Sequence, residues 1–462
     1  MNAQNDKANC SINVNSDVVE NQAGEDFAYC SVPEEAREKW TSLTYAWFGA
    51  AMFVGLYYAG VEIGTSMGNI NRSLLAILVG ALFLGTFVSL NGIIGYKTGC
   101  NAALSGIYSF GSKGVAIPGF HIADIGWYIM MTAQFAAIIH TVFPQVDIRV
   151  YCILISLLFV TNGLVGFKQM ANLNRIAMPI LLFVGLYGVY KVGAVSGGLG
   201  ALWDKEFKNT MSMATAITAV VGTWVSGSSR AADYFRFARK PADVVKAAFI
   251  GFFGGFIICI GCGVFWGAGT GSTDIGMTLA TLGIVFLGLL MFFLQTWTTN
   301  EHSAYVTSTA LPVAYEVVAG GKKVSRRKII ALVATLSMVF AGLRVENYYI
   351  PFISFLGIFI PVIGAITIAD FYIMSKTKYH WTGHSDYYSL NVNSEDVKHH
   401  TFNWATVPSL ILGFLISTQS SFGIPSFNCL IGTIIVYCIS SYILSVLGLQ
   451  KKETEKNMKL QA

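Results

Sequence analysis

Asp124 and Trp127 lie three positions apart in the stretch Ile122-Ala-Asp-Ile-Gly-Trp-Tyr128, so a helix sets both on one face. The sequence around them is apolar, and a carboxylate in hydrocarbon is expensive enough to mark a functional-site candidate. Beside an indole plane it suits a flat ligand that stacks on the ring and gives N–H groups to the carboxylate. The plainer alternative is an aspartate bonded to a neighbouring helix, with Trp127 as a packing aromatic.

Three further stretches carry polar or small residues where hydrocarbon discourages them. Ala219 to Ser229 contains Gly222, Thr223, Trp224, Ser226 and Gly227 inside a run long enough to span a bilayer. A hydroxyl-rich, glycine-rich break in a spanning helix is a binding-site candidate, because loosened backbone at that depth survives only where it lines protein or a cavity. Small residues also let helices pack closely, so a helix–helix contact is the rival account. Thr44 to Gly55, followed by Gly60, Glu62 and Gly64, has the same character and includes Gly49, Met52 and Phe53. Leu294 to His302 reads Leu-Gln-Thr-Trp-Thr-Thr-Asn-Glu-His, and the adjacent hydroxyls of Thr298 and Thr299 with unwound carbonyls make an all-oxygen site for a small hard cation. Taken alone, hydroxyls bonded back to their own helix are the simpler account.

The elements that position these residues are membrane spans. Of the 462 residues 54% are hydrophobic and 12% charged, about half the charged share of an average soluble protein. The mean hydropathy is +0.57. Apolar segments fall at approximately 42–64, 74–96, 116–141, 148–167, 175–197, 211–229, 244–268, 280–315, 328–344, 349–374, 403–419 and 428–448, which predicts twelve transmembrane helices. The segment 98–115 is too polar to span and reads as re-entrant or interfacial. Loops taken alternately hold 24 and 6 of the 30 Lys and Arg residues, which places both termini in the cytoplasm. Residues 1–39 form a polar tail expected to be disordered, 40–449 the transmembrane domain, and 450–462 a cytoplasmic tail.

Composition also excludes. The net charge of +5 is spread over many loops and gives no nucleic-acid footprint. Cys259 and Cys262 form a CxxC inside an apolar helix without a neighbouring His or carboxylate, so metal or redox use is disfavoured. A basic leader followed by an apolar core is absent from the N-terminal residues, so no cleaved signal peptide is expected. No nucleotide-binding loop, HExxH, Gly-x-Ser-x-Gly, arginine ladder or potassium-filter motif occurs, which disfavours pump, protease and channel. No nucleophile–base constellation points to an enzyme. His140 and Glu62 lie near helix ends, and Asp370 reads as a structural anchor. The broken-looking first and sixth segments, five apart, suggest inverted repeats of helices 1–5 and 6–10.

Asp124-Ile-Gly-Trp127, Gly222-Thr-Trp-Val-Ser-Gly227 followed by Ala232-Asp-Tyr-Phe-Arg-Phe237, and Trp297-Thr-Thr-Asn300 together resemble the nucleobase:cation symporter-1 family, and within it bacterial cytosine permeases. Tyr108-Ser-Phe-Gly-Ser-Lys-Gly114 and Ile368-Ala-Asp-Phe371 match as well, and the likeness runs from about Pro33 to Lys376. It implies a LeuT-like all-α fold of five plus five inverted helices, with helices 1 and 6 broken and two helices added. It implies a base held between aromatics matching Trp127 and Trp224, walled by Phe53, with Thr223 and Ser226 beside it. It implies a sodium site on carbonyls matching Gly49, Met52 and Gln295 and hydroxyls matching Thr298 and Thr299.

Two positions depart from the cytosine permeases, which have Gln at Asp124 and Phe at Trp224. An ionised carboxylate only accepts hydrogen bonds, so it suits two adjacent N–H groups, as on guanine, or a protonated amino-pyrimidine. The reading is a bacterial inner-membrane symporter, monomeric, importing a nucleobase-like heterocycle with Na+. The rivals are proton coupling with Asp124 titrating, and a non-transporting receptor that uses the same pocket.

Overall fold

A computed structural model describes residues 27, 30–119, 122–160, 167–319, 322, 324–383 and 387–449. Among these the secondary structure is helical, with two isolated β-bridges. The first expected segment divides into α1 (Trp40–Ala50) and α2 (Gly55–Ser66), which meet at 61°. The chain continues through α3 (Ile70–Thr98), α4 (Ala102–Phe110), α5 (Ile122–Val142), α6 (Ile148–Val160), α7 (Phe167–Val195) and α8 (Met213–Ser229). Then come α9 (Pro241–Gly251) and α10 (Ile257–Thr270), joined by a π-helical turn at Phe252–Phe256, and α11 (Ile275–Thr281) and α12 (Val285–Val318). Last are α13 (Arg326–Gly342), α14 (Tyr349–Tyr372), α15 (Thr406–Gln419) and α16 (Pro425–Val446).

Among the described residues each expected apolar segment contains helix. Among the described residues six helices are long and apolar enough to cross a bilayer, and the bent α1–α2 pair makes a seventh. Their outer faces carry bare apolar side chains at helical spacing: Leu75, Leu78 and Leu82 on α3, Phe183, Leu186 and Tyr190 on α7, Ile431, Ile435 and Ile439 on α16. Such stripes are what hydrocarbon solvates. The chain is a multi-pass membrane protein.

The expected break within residues 222–227 is absent: α8 runs unbroken from Met213 to Ser229 and turns aside only at Arg230 and Ala231. Its hydroxyls explain the difference. Thr223 donates to the Val220 carbonyl at 2.7 Å, Ser228 to Trp224 at 3.0 Å and Ser229 to Ser226 at 2.8 Å, so they are satisfied inside the helix. Gly222 serves the rival purpose, close approach: a Cβ there would overlap the Ile353 carbonyl of α14. Gly60 and Gly64 act likewise, packing α2 backbone to backbone against Ile260, Gly263 and Val264 of α10.

The segment 98–115 holds α4, whose nine residues are about 14 Å long and fall short of the hydrocarbon core. It docks on the 377–403 connection. Asn403 donates to the Ser109 carbonyl at 2.7 Å and Trp381 to the Tyr108 carbonyl at 3.1 Å. Fully buried Asp370 anchors this layer, accepting from the hydroxyls of Tyr388 (2.7 Å) and Tyr437, with His380 at 3.3 Å. Burial and then the Asp370 charge push the Tyr387 and Tyr388 phenols above their ordinary range, so both stay protonated donors. Part of the polar N-terminal stretch also belongs to this layer. The Val32 amide bonds the Gly99 carbonyl at 2.9 Å and the Glu38 amide the Phe237 carbonyl at 2.7 Å. Residues 1–26 and 450–462 lie outside the described residues.

Candidate substrate and cation site

The joint between α1 and α2 is the centre of the site. Ala51, Met52, Phe53 and Val54 sit outside both helices, and all four are buried, as irregular backbone at membrane depth must be. The i→i−4 ladder ends with the Ala51 amide on the Trp47 carbonyl at 2.8 Å, and bonding resumes with the Leu56 amide on the Phe53 carbonyl at 3.1 Å. Small residues on neighbours make room for it. Gly49 packs against Met178 of α7, and Met52 against Gly255 of the π-turn. Tyr349 of α14 donates its hydroxyl to the Gly55 carbonyl at 2.7 Å.

The expected aromatics converge at this joint. Phe53 stands against both tryptophans: its ring lies 5.3 Å from Trp127 at 89° and 5.5 Å from Trp224 at 30°. Phe53 thus touches both indoles. Trp127 is further enclosed by Phe352 at 5.2 Å and Tyr349 at 6.3 Å. Trp224 leans on Trp47 at 6.4 Å, and its indole N–H is buried without an acceptor among the described residues. An unspent donor in a water-poor place costs about 1–3 kcal/mol, which a ligand carbonyl would recover.

The polar residues divide. Asp124 is buried one turn from Trp127, as its spacing requires, and its carboxylate is engaged by Arg230 at 3.0 Å. Thr223 is fully buried with its hydroxyl turned to its own helix, and Ser226 is nearly buried, its carbonyl taken by Ser229. Both stand within one turn of Trp224 on α8, but neither hydroxyl stands in a broken backbone.

The oxygen set expected for sodium lies on two elements. The Gly49 carbonyl accepts from the Met52 amide at 3.2 Å. On α12, Thr298 donates to the Gln295 carbonyl at 3.0 Å, the back-bonding anticipated for a membrane threonine. α12 runs unbroken through these residues, so the unwound carbonyls expected beside Thr298 and Thr299 are absent and the Gln295 carbonyl sits within the helical ladder. Thr298 is buried and Thr299 half-buried. The Gln295 side-chain amide nitrogen is buried and unpartnered among the described residues.

Sequence reasoning missed Arg230, Tyr349 and Phe352. Arg230 counts as one loop cation among five, and nothing local ties it to residue 124. Tyr349-Ile-Pro-Phe352 opens an apolar helix like any other. A groove of about 590 Å³ between α15 and α16, lined by Trp404, Pro408 and Leu444, shares no residue with the cluster.

Residues 31–441 match the family model described as permease for cytosine/purines, uracil, thiamine, allantoin. The cytosine permease of Escherichia coli K12 is 26% identical over 421 residues, covering 91% of this chain and 95% of that protein. The putative allantoin permease of the same strain is 22% identical, covering 74% and 78%. Among solved structures, the inward-facing conformation of Mhp1 superposes with a TM-score of 0.76 at 16% identity, covering 93% and 96%. Mhp1 in a closed conformation, a nucleobase-cation-symport-1 family transporter with bromovinylhydantoin bound, gives 0.67 at 17% identity, covering 93% and 95%. A Na+-coupled sialic acid symporter gives 0.61 at 13% identity, covering 92% of both chains. These likenesses show that the fold is that of Mhp1, and the relatives are permeases rather than enzymes. By its family match over nearly the whole length, the chain belongs to the permeases for cytosine/purines, uracil, thiamine and allantoin.

Proposed function

We propose that the chain is a secondary active symporter that imports a nucleobase or a related planar nitrogen heterocycle together with Na+ by alternating access. The observation that carries the reading is the contact of the Phe53 ring with both Trp127 and Trp224 at the joint of the first segment. A swing of that joint withdraws Phe53 and leaves two indole faces for a flat ring, with stacking worth about 1–3 kcal/mol per base. The E. coli relatives are named for cytosine and allantoin, both nitrogen heterocycles, which supports the substrate class.

Sodium is cargo in this reading, held by the Gly49, Met52 and Gln295 carbonyls and the Thr298 and Thr299 hydroxyls. Bound there it would favour the outward-open state and draw α1 and α12 together, and low sodium inside would release both solutes. Twelve crossings, with helices 1–5 and 6–10 as inverted halves and both termini in the cytoplasm of a bacterial plasma membrane, complete the arrangement. The ion pair that Asp124 makes with Arg230 argues against proton coupling through Asp124.

Purified protein in proteoliposomes tests the reading directly. Radiolabelled cytosine and guanine uptake should rise under an inward Na+ gradient and ignore a pH gradient imposed alone. Uptake driven by the pH gradient and indifferent to Na+ would replace sodium by the proton. No uptake of either base, nor of other purines and pyrimidines in competition, would overturn the substrate class.

A further inference from the structure

Among the described residues five Asp, Glu or Arg residues are buried, and four of them have a visible compensation. Asp124 pairs with Arg230, and Asp370 accepts from two tyrosine hydroxyls. Arg236 donates to the Phe27 carbonyl at 2.8 Å, and Asp243 stands in the first turn of α9, where helix amides are free. The fifth is Glu301. It is 3% exposed, and no hydrogen bond, ion pair or charged neighbour reaches it among the described residues.

Its own helix gives it nothing. Glu301 stands at the middle of α12, which runs unbroken from Val285 to Val318, so the amides and carbonyls around it belong to the ladder. Hydrocarbon offers no water in exchange. A carboxylate so placed costs several kcal/mol unless something pairs with it. Buried charges are paired with an opposite charge or coordinate a metal ion. No described side chain offers the opposite charge, so the partner is a solute.

The neighbouring oxygens say of which kind. Thr298 precedes Glu301 by three positions, which sets it one turn away on the same face, and it too is buried. Its hydroxyl proton goes to the Gln295 carbonyl at 3.0 Å, which leaves the hydroxyl oxygen its lone pairs. Fully buried Asn300 donates from Nδ2 to the Thr132 hydroxyl at 2.9 Å and leaves Oδ1 without a donor among the described residues. What stays open at this turn is acceptors alone: a carboxylate, a hydroxyl oxygen and an amide oxygen. An anion finds no complement in such a set, and a small hard cation does.

We propose that Glu301 is the charged ligand of a monovalent metal cation on α12, with the Thr298 hydroxyl oxygen and the Asn300 amide oxygen as neutral partners. It deepens the transport reading above, on which it rests for the identity of the ion as Na+. The carbonyls of this unbroken helix are held in its ladder, and Glu301 supplies the charge they lack.

Thermal melting of the purified full-length protein in detergent tests this, with NaCl, LiCl or KCl replacing N-methylglucamine chloride at constant ionic strength. The unaltered protein should rise saturably in Tm as Na+ replaces the organic cation, because a ligand of the folded state stabilises by mass action. Glu301→Gln keeps the shape and removes the charge. Without metal it should melt at least as high as the unaltered protein, since an uncompensated buried charge is gone. It should also need about tenfold more Na+, or a greater excess, for the same rise. A glutamine variant with the Na+ response of the unaltered protein would overturn the proposal. So would one that loses stability equally with and without Na+, the mark of a purely structural carboxylate. Indifference of the unaltered protein to all three metals would overturn it as well. A response to Li+ or K+ alone, lost in Glu301→Gln, would uphold the cation site and remove sodium from the transport reading. Should Glu301→Gln fail to fold, Glu301→Asp decides: the half-maximal cation concentration should rise by about threefold or more, and an unchanged one overturns the proposal.

Discussion

The hydroxyl of Tyr349 donates to the carbonyl of Gly55 at 2.7 Å, tying the start of α14 to the residue where the first segment resumes its helix. The Gly55 carbonyl stands at the edge of irregular backbone, and Tyr349 also touches Trp127. One hydroxyl thus connects the joint to the aromatic cluster. In Tyr349→Phe the ring remains and the bond is lost, at a net cost of about 1 kcal/mol. Hydrogen exchange across residues 51–57 should quicken while the rest of the bundle keeps its protection. Equal exchange in both proteins would show that Tyr349 does not hold the joint.

Trp127→Ala should remove a stacking face and weaken heterocycle binding by about tenfold or more, in line with about 1–3 kcal/mol per stacked base. The protein should still fold, because Phe53 and Tyr349 keep partners of their own and Phe352 still packs on Gly126. Titration with cytosine and guanine checks this, and unchanged affinity removes Trp127 from the pocket.

Thr299→Ala takes one hydroxyl from the proposed cation set without disturbing the Thr298 bond to Gln295. Sodium stimulation of uptake should disappear, with the residual sodium-free rate unaltered. A variant that keeps the full dependence on sodium would place the cation elsewhere.

Two glycines on neighbouring spans make a matched pair. Gly222→Ala drives a methyl into the Ile353 carbonyl, backbone against backbone, and should cost about 1–3 kcal/mol through overpacking. Gly261→Ala meets nothing within 4 Å, and in mid-helix should gain up to about 1 kcal/mol. Thermal melting in detergent compares them, and a Gly222→Ala protein as stable as the parent would contradict the close α8–α14 contact.

Asp370→Ala leaves the Tyr388 and Tyr437 hydroxyls without their shared acceptor in a fully buried place. A loss of about 2–5 kcal/mol is expected, within the range for an unpaired buried polar set. Because Asp370 joins α14, α16 and the 377–403 connection, limited proteolysis should cut that connection faster. Proteolysis at the parent rate would refute the anchoring role.

The multi-pass, all-helical character is legible in the sequence because apolar length acts locally, residue by residue. Asp124 beside Trp127, and the Thr298–Thr299 step, are legible for the same reason, since helical spacing alone sets their faces. The unbroken α8 is not. Gly222, Thr223 and Ser226 are as fit for close packing and back-bonding as for unwinding, and only the Ile353 backbone opposite decides between them. Arg230 is illegible in another way, because its partner lies 106 positions away and its charge reads as one more basic loop residue. The contact of Phe53 with both indoles depends on the 61° bend, an angle that no residue pattern encodes.

The interlocked glycines of α2 and α10 carry a mechanical consequence. Gly60, Gly64, Gly263 and Gly267 set the two backbones against each other with no side-chain cushion, so a rotation of α2 in the proposed cycle would carry α10 with it. With twelve residues, α2 is about 18 Å long, and each 10° of rotation at residues 51–54 sweeps its far end by roughly 3 Å. Opening a passage the width of an aromatic ring therefore asks for a turn of only a few tens of degrees, concentrated at a four-residue fulcrum where Phe53 is mounted.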